Sequence, residues 1–509
     1  KINGVVWNAE EVNGEPCEVG DDVTVVEFKG TTVRVKKINK IVMNEFKNYG
    51  LNEIKDIFLN YFIKENIYSC DYTLGVKFMW HKFFKSSYLM VDNTLTFKEC
   101  YGENYGYYYP MGENIDKMFS LIKEDALNSE NKKLEFCCVD IKHIADLKNR
   151  FPHAEYYFDR NWSDYLYLNE HFKTFAGGQY SNKSHHVKQF VKDYPEAIFR
   201  KCEISDKEKL IRFIDEFSKT KEIDSSEAQN ELSESKDLVR HFDELKLDCF
   251  CIEYRGEIVA LSICEVINDC VYDHVEKALR EFSSIYPFFV QKIANYYENI
   301  TYFNREDDSG DPGLRYSKED YHPTKMIDKY MFKIKNNLDL LNDIPTIYVN
   351  NEITLSKILD NDKNEYYNLY IDEDLNKYWG YDYKADLGNK TATPEYFLNM
   401  VNEDFKNKEW FSFAVKKNNI LIGEITLGEL NNNNECEIGY RLIKKEQGKG
   451  YMYQSICALL KYLYSKLGIS VINAKAYHQN ERSLSLLKKL GFEETSSDQT
   501  FRYFKLNIK

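Results

Sequence analysis

The sequence predicts an α/β (α+β) protein, with mixed-sheet units in tandem behind a short all-β stub. Three observations carry this expectation. Strand-length apolar runs alternate with runs of helical periodicity along most of the chain. The 509 residues imply about three compact units at the usual ~100–200 residues each. The composition, 43% hydrophobic and 29% charged, is that of globular protein, and 40 Tyr and 32 Phe point to aromatic cores.

Residues 1–38 read as short strands at Gly4–Ala9, Val23–Val26 and Val33–Val35, separated by turn residues such as Lys29-Gly30. A first unit, 41–190, opens with a helix over Asn52–Ile63, where Ile54, Ile57, Phe58 and Phe62 fall on one stripe. Strands follow at Tyr88–Val91, Leu95–Phe97 and Tyr105–Tyr109, then a helix over Met118–Leu127 and a buried strand at Phe136–Val139. A second unit, 191–338, holds the hairpin Phe250–Tyr254/Ile258–Ile263 around Arg255-Gly256-Glu257. The strand Val271–Val275 and the helix Pro287–Tyr297 come next, and Tyr330–Ile334 is expected to close the unit. Glu222–Ser235 reads as a loop or a frayed helix, and Lys335–Ile344 as a polar link to a last unit, 345–509. The recurring order of hairpin, strand, helix and strand points to a structural repeat.

The net charge of −14 disfavours nucleic-acid and anionic-membrane partners, which select basic faces, and suits a cationic substrate such as an amine. None of the 12 cysteines forms a CxxC pair, so no metal or redox site is expected, only buried reduced thiols. His185-His186 diverge by about 100° on a helix and do not suit one ion. No apolar run nears the ~20 residues of a membrane span and no signal peptide is apparent, which predicts a cytoplasmic protein.

The most informative stretch lies in the last unit. On the strand Glu435–Leu442, Cys436, Ile438, Tyr440 and Leu442 share one face, while Glu435, Glu437, Gly439 and Arg441 share the other. Gln447-Gly448-Lys449-Gly450-Tyr451-Met452 then leads into a helix with the stripe Ile456, Leu459, Leu460, Leu463 and Leu467, ended by Gly468. A Gly-rich turn at a helix N-terminus presents free N–H groups and a favourable dipole to an anion. A strand Ile469–Tyr477, the N-cap residue Asn480, and a helix to Leu490 before Gly491-Phe492 complete the order.

Glu437-Ile438-Gly439-Tyr440-Arg441-Leu442, Gln447–Met452, Asn480-Glu481-Arg482-Ser483 and Lys489-Leu490-Gly491-Phe492 together resemble the GNAT N-acetyltransferase superfamily, in its ribosomal-protein-alanine acetyltransferase branch. The resemblance implies an acetyl-CoA-dependent N-acetyltransferase. It places the pyrophosphate on the backbone of Gln447, Gly448, Lys449, Gly450, Tyr451 and Met452, and the pantetheine arm along Tyr440, Arg441 and Leu442, with Asn480 and Ser483 touching the cofactor. Glu437 is the candidate general base that takes the amine proton, or else a strand residue that is solvated or binds substrate; Glu435 and Glu424 stand in reserve. Two positions depart from the pattern. Met452 replaces the commoner Gly or Ala, and Leu487 stands where many relatives carry the tyrosine that protonates the leaving thiolate.

In the middle of the chain, the polar run Asn304–Lys318 and Tyr321-His322-Pro323, with Asp164-Tyr165-Leu166-Tyr167 and Glu276-Lys277, resembles the phosphatidylglycerol lysyltransferase C-terminal family over residues 41–335. That family packs two GNAT-like halves together, which makes three such units in this chain. Some members move an aminoacyl group from charged tRNA to a lipid headgroup. Asn304, Arg305, Asp307, Arg315 and Lys318 then mark a possible second site, or an internal ion-pair network that pins the loop. The family's basic run is reduced here to Lys183-Ser184-His185-His186, which disfavours a tRNA partner. The N-terminal strands resemble the end of an NfeD-like OB barrel. The expected function is acetyl transfer to a primary amine: a protein N-terminus, a polyamine or an amino-sugar. Aminoacyl transfer by the middle region, or a non-catalytic sensing role for it, are the rivals.

Overall fold

The computed structural model describes residues 8–11, 23–29, 32–37, 45–102, 104–130, 132–219, 226–388, 390–431 and 433–508. The expected strand residues Gly4 to Trp7, and residues 222–225 of the stretch read as a loop or a frayed helix, lie outside them. Near the N-terminus, Thr32–Lys37 pairs with Asn8–Glu11 in parallel and with Val23–Lys29 antiparallel. Three mixed sheets follow.

Each mixed sheet contains a single parallel pair of strands that separates after a few residues. In the first sheet it is Asn104–Tyr107 beside Glu135–Val139, joined only at Tyr107 and Phe136. In the second it is Cys270–Ala278 beside Tyr302–Asn304, paired up to Tyr272 and Asn304. In the third it is Glu435–Leu442 beside Val471–Tyr477, paired up to Glu437 and Asn473. Beyond those points the strands open a wedge in which one edge of each backbone is left without its ladder partner.

The first two sheets are not divided at residue 190. Asp164–Leu168, from the first segment, lies in the second sheet between Tyr302–Asn304 and Lys325–Ile327. Tyr330–Lys333, expected to close the second unit, instead lies in the first sheet between Glu135–Val139 and Glu155–Phe158. In the third sheet the corresponding place is filled by its own Phe501–Asn507, paired with Val471–Tyr477 and Glu493–Ser497. The two middle halves therefore exchange one strand each. They also share one apolar core, in which Phe58, Phe97 and Tyr72 pack with Leu210, Leu261 and Tyr272.

One open alternative is decided and one expectation changes. Ser226–His241 is a helix whose Ser235, Leu238 and Val239 are buried; burial of that stripe outweighs the polar composition, and Glu231 on it pairs with Lys277 (2.6 Å). The supposed polar link is packed rather than solvated. Leu338, Leu341 and Ile344 enter the core of the third unit and Leu340 that of the first. Buried Asn337 donates to the carbonyls of Lys132 and Leu467 (both 2.8 Å), one on each side of the boundary. The C-terminal unit is thus held against the middle region by satisfied buried amides.

A buried histidine stitches the middle halves further. His274 has no exposed side-chain surface; Nδ1 lies 2.8 Å from Glu306 and Nε2 3.0 Å from Glu265. Glu265 in turn accepts from the N–H groups of Leu74 and Gly75 (3.0 and 2.9 Å), at the start of the helix Leu74–Trp80. With a carboxylate at each nitrogen, the ring must donate from both and so is an imidazolium. Burial alone would lower its pKa, but the bonds to Glu265 and Glu306 outweigh that and push it up to about 10. A raised folded value means stabilisation that is complete below the unfolded value of about 6.5 and is lost as pH rises through the folded one. Urea unfolding between pH 7 and 10.5 should therefore show a fall in midpoint larger for the native chain than for His274→Gln.

Candidate functional site

The third wedge is built so that several partnerless groups converge. Glu435–Leu442 is held on its other side by Ile420–Gly428, from Gly428 opposite Glu437 to Gly423 opposite Leu442. At its far end the chain turns through Gly448 and Gly450, both at positive φ (76° and 83°), where glycine carries no Cβ penalty. Gly450 is the N-cap of the helix Tyr451–Leu467 and offers no side-chain cap, so the first-turn N–H groups point outward without an acceptor. Gln447, Gly448, Lys449 and Gly450 lie at the surface, whereas the Met452 side chain is buried in the core, so its backbone alone can serve a ligand.

The side chains around this turn shape it. Gln447 donates to the carbonyl of Leu442 (2.7 Å) and accepts from Arg482 (2.5 Å). Lys449 pairs with Glu446 (2.9 Å), and the Tyr451 hydroxyl donates to Glu352 (3.2 Å). Asn480 caps the helix Glu481–Lys489 by accepting from the N–H of Ser483 (3.3 Å). Tyr440 reaches across the wedge, its hydroxyl 2.8 Å from that of Ser483. Leu487 is buried in the apolar core and offers no acid.

Glu437 stands at the apex, on the last paired residue of the strand. It is half-buried and lies 3.1 Å from Lys475. Burial raises its carboxyl above the ordinary value, against the pull of Lys475. The two reserves are engaged elsewhere. Burial would raise Glu435, but bonds from Asn473, Lys505 and Asn431 hold it below its ordinary range. Glu424 is fully buried, accepting from Arg441 Nε (2.7 Å) and the Tyr366 hydroxyl (2.8 Å).

The Arg441 side chain is engaged beneath the strand. It turns away from any cofactor, bonds Glu424 and Asn376, and lies over the rings of Tyr370 (3.9 Å) and Trp379 (4.3 Å). Only its backbone remains at the wedge. The physical reason is the alternation of the strand, which sends odd residues to the face covered by residues 366–381. These partners lie 60 or more positions earlier, and only the aromatic run Tyr378-Trp379-Gly380-Tyr381 could have drawn attention to them.

The middle-region residues are brought together but largely consumed. Asn304 donates to Asp164 (3.1 Å), and Asp307 lies 3.2 Å from Lys329. Arg315 bonds Asp308 through Nε (2.9 Å) and Nη2 (2.8 Å), and Lys318 donates to the carbonyls of Arg305 (2.7 Å) and Asp307. Arg305 is buried, bonds Glu276 (2.5 Å) and lies 4.6 Å over Tyr321. Its Nε and Nη1, with Glu276 Oε1 and Asp273 Oδ2, are buried without partners. Cys70, Asp164 and Asp307 converge within 4.8 Å of one another, as metal ligands can, but the Lys329 ammonium lies 3.3, 2.7 and 3.2 Å from them and fills that position. The first wedge is plugged: Tyr72 and Tyr108 are fully buried, and Lys77 lies 3.7 Å over Tyr108 while bonding Glu99 (2.6 Å).

Against this geometry the relatives can be placed. Residues 65–333 match the family described as phosphatidylglycerol lysyltransferase, C-terminal, and residues 352–493 match the acetyltransferase (GNAT) domain. The chain belongs to the phosphatidylglycerol lysyltransferase C-terminal family. In this member of the family a GNAT acetyltransferase domain follows, so the chain is an acetyltransferase enzyme. Residues 1–64 lie outside both matches. An uncharacterized N-acetyltransferase of Bacillus subtilis is 24% identical over 154 residues, 30% of this chain and 85% of that protein. The ribosomal protein uS5 alanine N-acetyltransferase of Escherichia coli is 32% identical over 101 residues, 19% of this chain and 52% of that protein. A conserved protein of unknown function from Bacteroides thetaiotaomicron is 26% identical, with a TM-score of 0.54 over 57% of this chain and 99% of that one. Among the described residues, no helix is long and apolar enough to cross a membrane.

The Gly450 position tests the loop directly. Gly450→Trp places a large side chain on a left-handed backbone at the exposed turn. Calorimetric titration should show about one equivalent of acetyl-CoA bound by the native chain and at least about tenfold weaker binding by the variant.

Proposed function

We propose that the C-terminal domain transfers an acetyl group from acetyl-CoA to a primary amine, with Glu437 as the general base. The observation that carries this reading is the pairing of an uncapped helix N-terminus with a strand edge that loses its neighbour after Glu437. The backbone from Gln447 to Met452 would hold the pyrophosphate, and the free edge from Ile438 to Leu442 would bond the amides of the pantetheine arm. Bound acetyl-CoA would supply the thioester whose carbonyl the amine attacks. Glu437 takes the proton that the attacking nitrogen sheds. Burial raises its pKa, which strengthens it as a base, and the neighbouring Lys475 favours its ionised form. The Tyr440 hydroxyl, 2.8 Å from that of Ser483, would return a proton to the leaving sulfur in place of a helix tyrosine. The acceptor is a neutral amine, with protein N-terminus, polyamine and amino-sugar all compatible with an acidic chain.

Glu437→Gln should lower kcat by about 10²–10⁴ with acetyl-CoA affinity kept. The ascending limb of the pH–rate profile, set above the ordinary glutamate value in the native chain, should vanish with it. Retention of that limb in the variant would assign the proton to another group.

A second reading gives the middle region an aminoacyl-transfer role, with a tRNA partner. It rests on the four partnerless polar atoms of Arg305, Glu276 and Asp273 at the second wedge, a cluster that a ligand bearing both donors and acceptors would satisfy. The internal engagement of Arg315 and Lys318 and the plugged first wedge favour the rival sensing role. Filter retention of a charged tRNA pool decides between them. Retention that Arg305→Met abolishes, in a variant with native thermal unfolding, supports transfer; no retention by the native chain removes that reading.

A further inference from the structure

The loop after the helix Glu373–Asn376 spans the third wedge. Its adjacent residues Tyr378 and Trp379 touch opposite walls. The Tyr378 ring lies 5.6 Å from that of Tyr477, at the end of Val471–Tyr477. The indole of Trp379 lies over Gly439 on Glu435–Leu442, where a Cβ would meet its edge at 3.6 Å. The same Cβ would come within 2.7 Å of Thr426 Oγ1, so this face of the strand leaves no room for a side chain at residue 439. The pair thus roofs the gap immediately past its apex.

The roof is fixed by a buried ion pair. Trp379 and Tyr370 both pack against the Arg441 guanidinium, whose central carbon lies 4.3 and 3.9 Å from their ring centres. The guanidinium is bonded to Glu424, and Glu424 is bonded to Tyr366. Moving the indole aside would uncover a cation that is 3% exposed beside a carboxylate that is 0% exposed. The loop is also tied through Asn376, whose amide donates to the carbonyls of Leu369 (2.9 Å) and Tyr370 (2.8 Å).

This arrangement has a consequence for the reading given above, on which it rests. An arm anchored at Gln447–Met452 and running along the edge from Leu442 to Ile438 ends at the apex, under Trp379. We propose that Trp379, held in place by Arg441, sets the length of the acyl group that the domain accepts, admitting acetyl and excluding longer chains. Trp379 is the specificity-determining side chain and Arg441 a positioning residue that acts through it. Replacing Arg441 by lysine keeps the charge opposite Glu424 but removes the flat surface that the two rings clamp.

The test compares calorimetric affinities of acetyl-CoA, butyryl-CoA and free CoA, with acyl-CoA hydrolysis as a second readout. In the native chain butyryl-CoA should bind at least about tenfold more weakly than acetyl-CoA, since one methylene in a tight pocket is already worth ~10–200-fold. Trp379→Ala should bring the two within about threefold while leaving free CoA unchanged. Arg441→Lys should move the ratio in the same direction by a smaller factor. Trp379→Phe provides a milder variant if the alanine chain does not fold, and it too should narrow the gap. An unchanged ratio in a folded Trp379 variant, or equal affinities in the native chain, overturns the acyl-length role and leaves the acetyltransferase reading intact. Failure of the native chain to bind any of the three overturns both.

Discussion

The ammonium of Lys329 lies 2.7 Å from Asp164, 3.0 Å from Asp71 and 3.2 Å from Asp307, almost wholly out of solvent. The four side chains come from four separate stretches of the middle region, and two of them flank the crossing where the halves exchange strands. Asp164 begins the strand given to the second sheet; Lys329 precedes the strand returned to the first. Burial pushes the Asp164 carboxyl up to about 6, whereas the lysine holds Asp71 below its ordinary range despite its burial. Removing one member of such a cluster leaves charge without compensation, which is far costlier than never having placed it there. The crossing is therefore specified by charge as well as by strand pairing. The wedge of the second half, which begins at Asn304 beside Asp164, depends on it.

One architectural device, a parallel strand pair that parts, recurs three times with three outcomes. In the first half, Tyr72 and Tyr108 close the gap around a buried lysine–glutamate pair. In the second, polar groups without partners face one another. In the third, the gap lies beside an exposed glycine turn at a helix N-terminus. The fold alone thus decides little about chemistry; the side chains that line the parting strands decide it.

The third unit also separates functional roles by strand face. The even face of Glu435–Leu442 packs on the helix that presents the turn, so the turn and the strand edge are held in one rigid body. The odd face carries Glu437 at the apex and then Arg441, whose aromatic clamp fixes the covering loop. The proposed base and the proposed roof are thereby referred to the same strand, and a small shift of that strand moves both together.

Local sequence determined much of this. The alternation of Glu435–Leu442, the turn Gln447–Met452, the stripe to Leu467 before Gly468 and the cap at Asn480 are short-range patterns, set by backbone geometry and neighbouring residues. The run Asn304–Lys318 reads as a polar stretch, and its second half instead forms the helix Pro312–Glu319, started by Asp311 and Pro312. What depended on distant partners was not legible. The strand exchange requires Asp164–Leu168 to find Tyr302–Asn304, and periodicity cannot name a partner across some 140 residues. The burial of the 335–344 link, the capture of Arg441 by Glu424 and Trp379, and the engagement of Arg315 and Lys318 are likewise choices among many equivalent charges and amides. Sequence by itself determined most of the local backbone segments, among them the glycine turn that opens the helix Tyr451–Leu467. Only the tertiary structure decided which charged side chains remain free to act, because the free energy of a buried charge depends on partners that folding alone brings near.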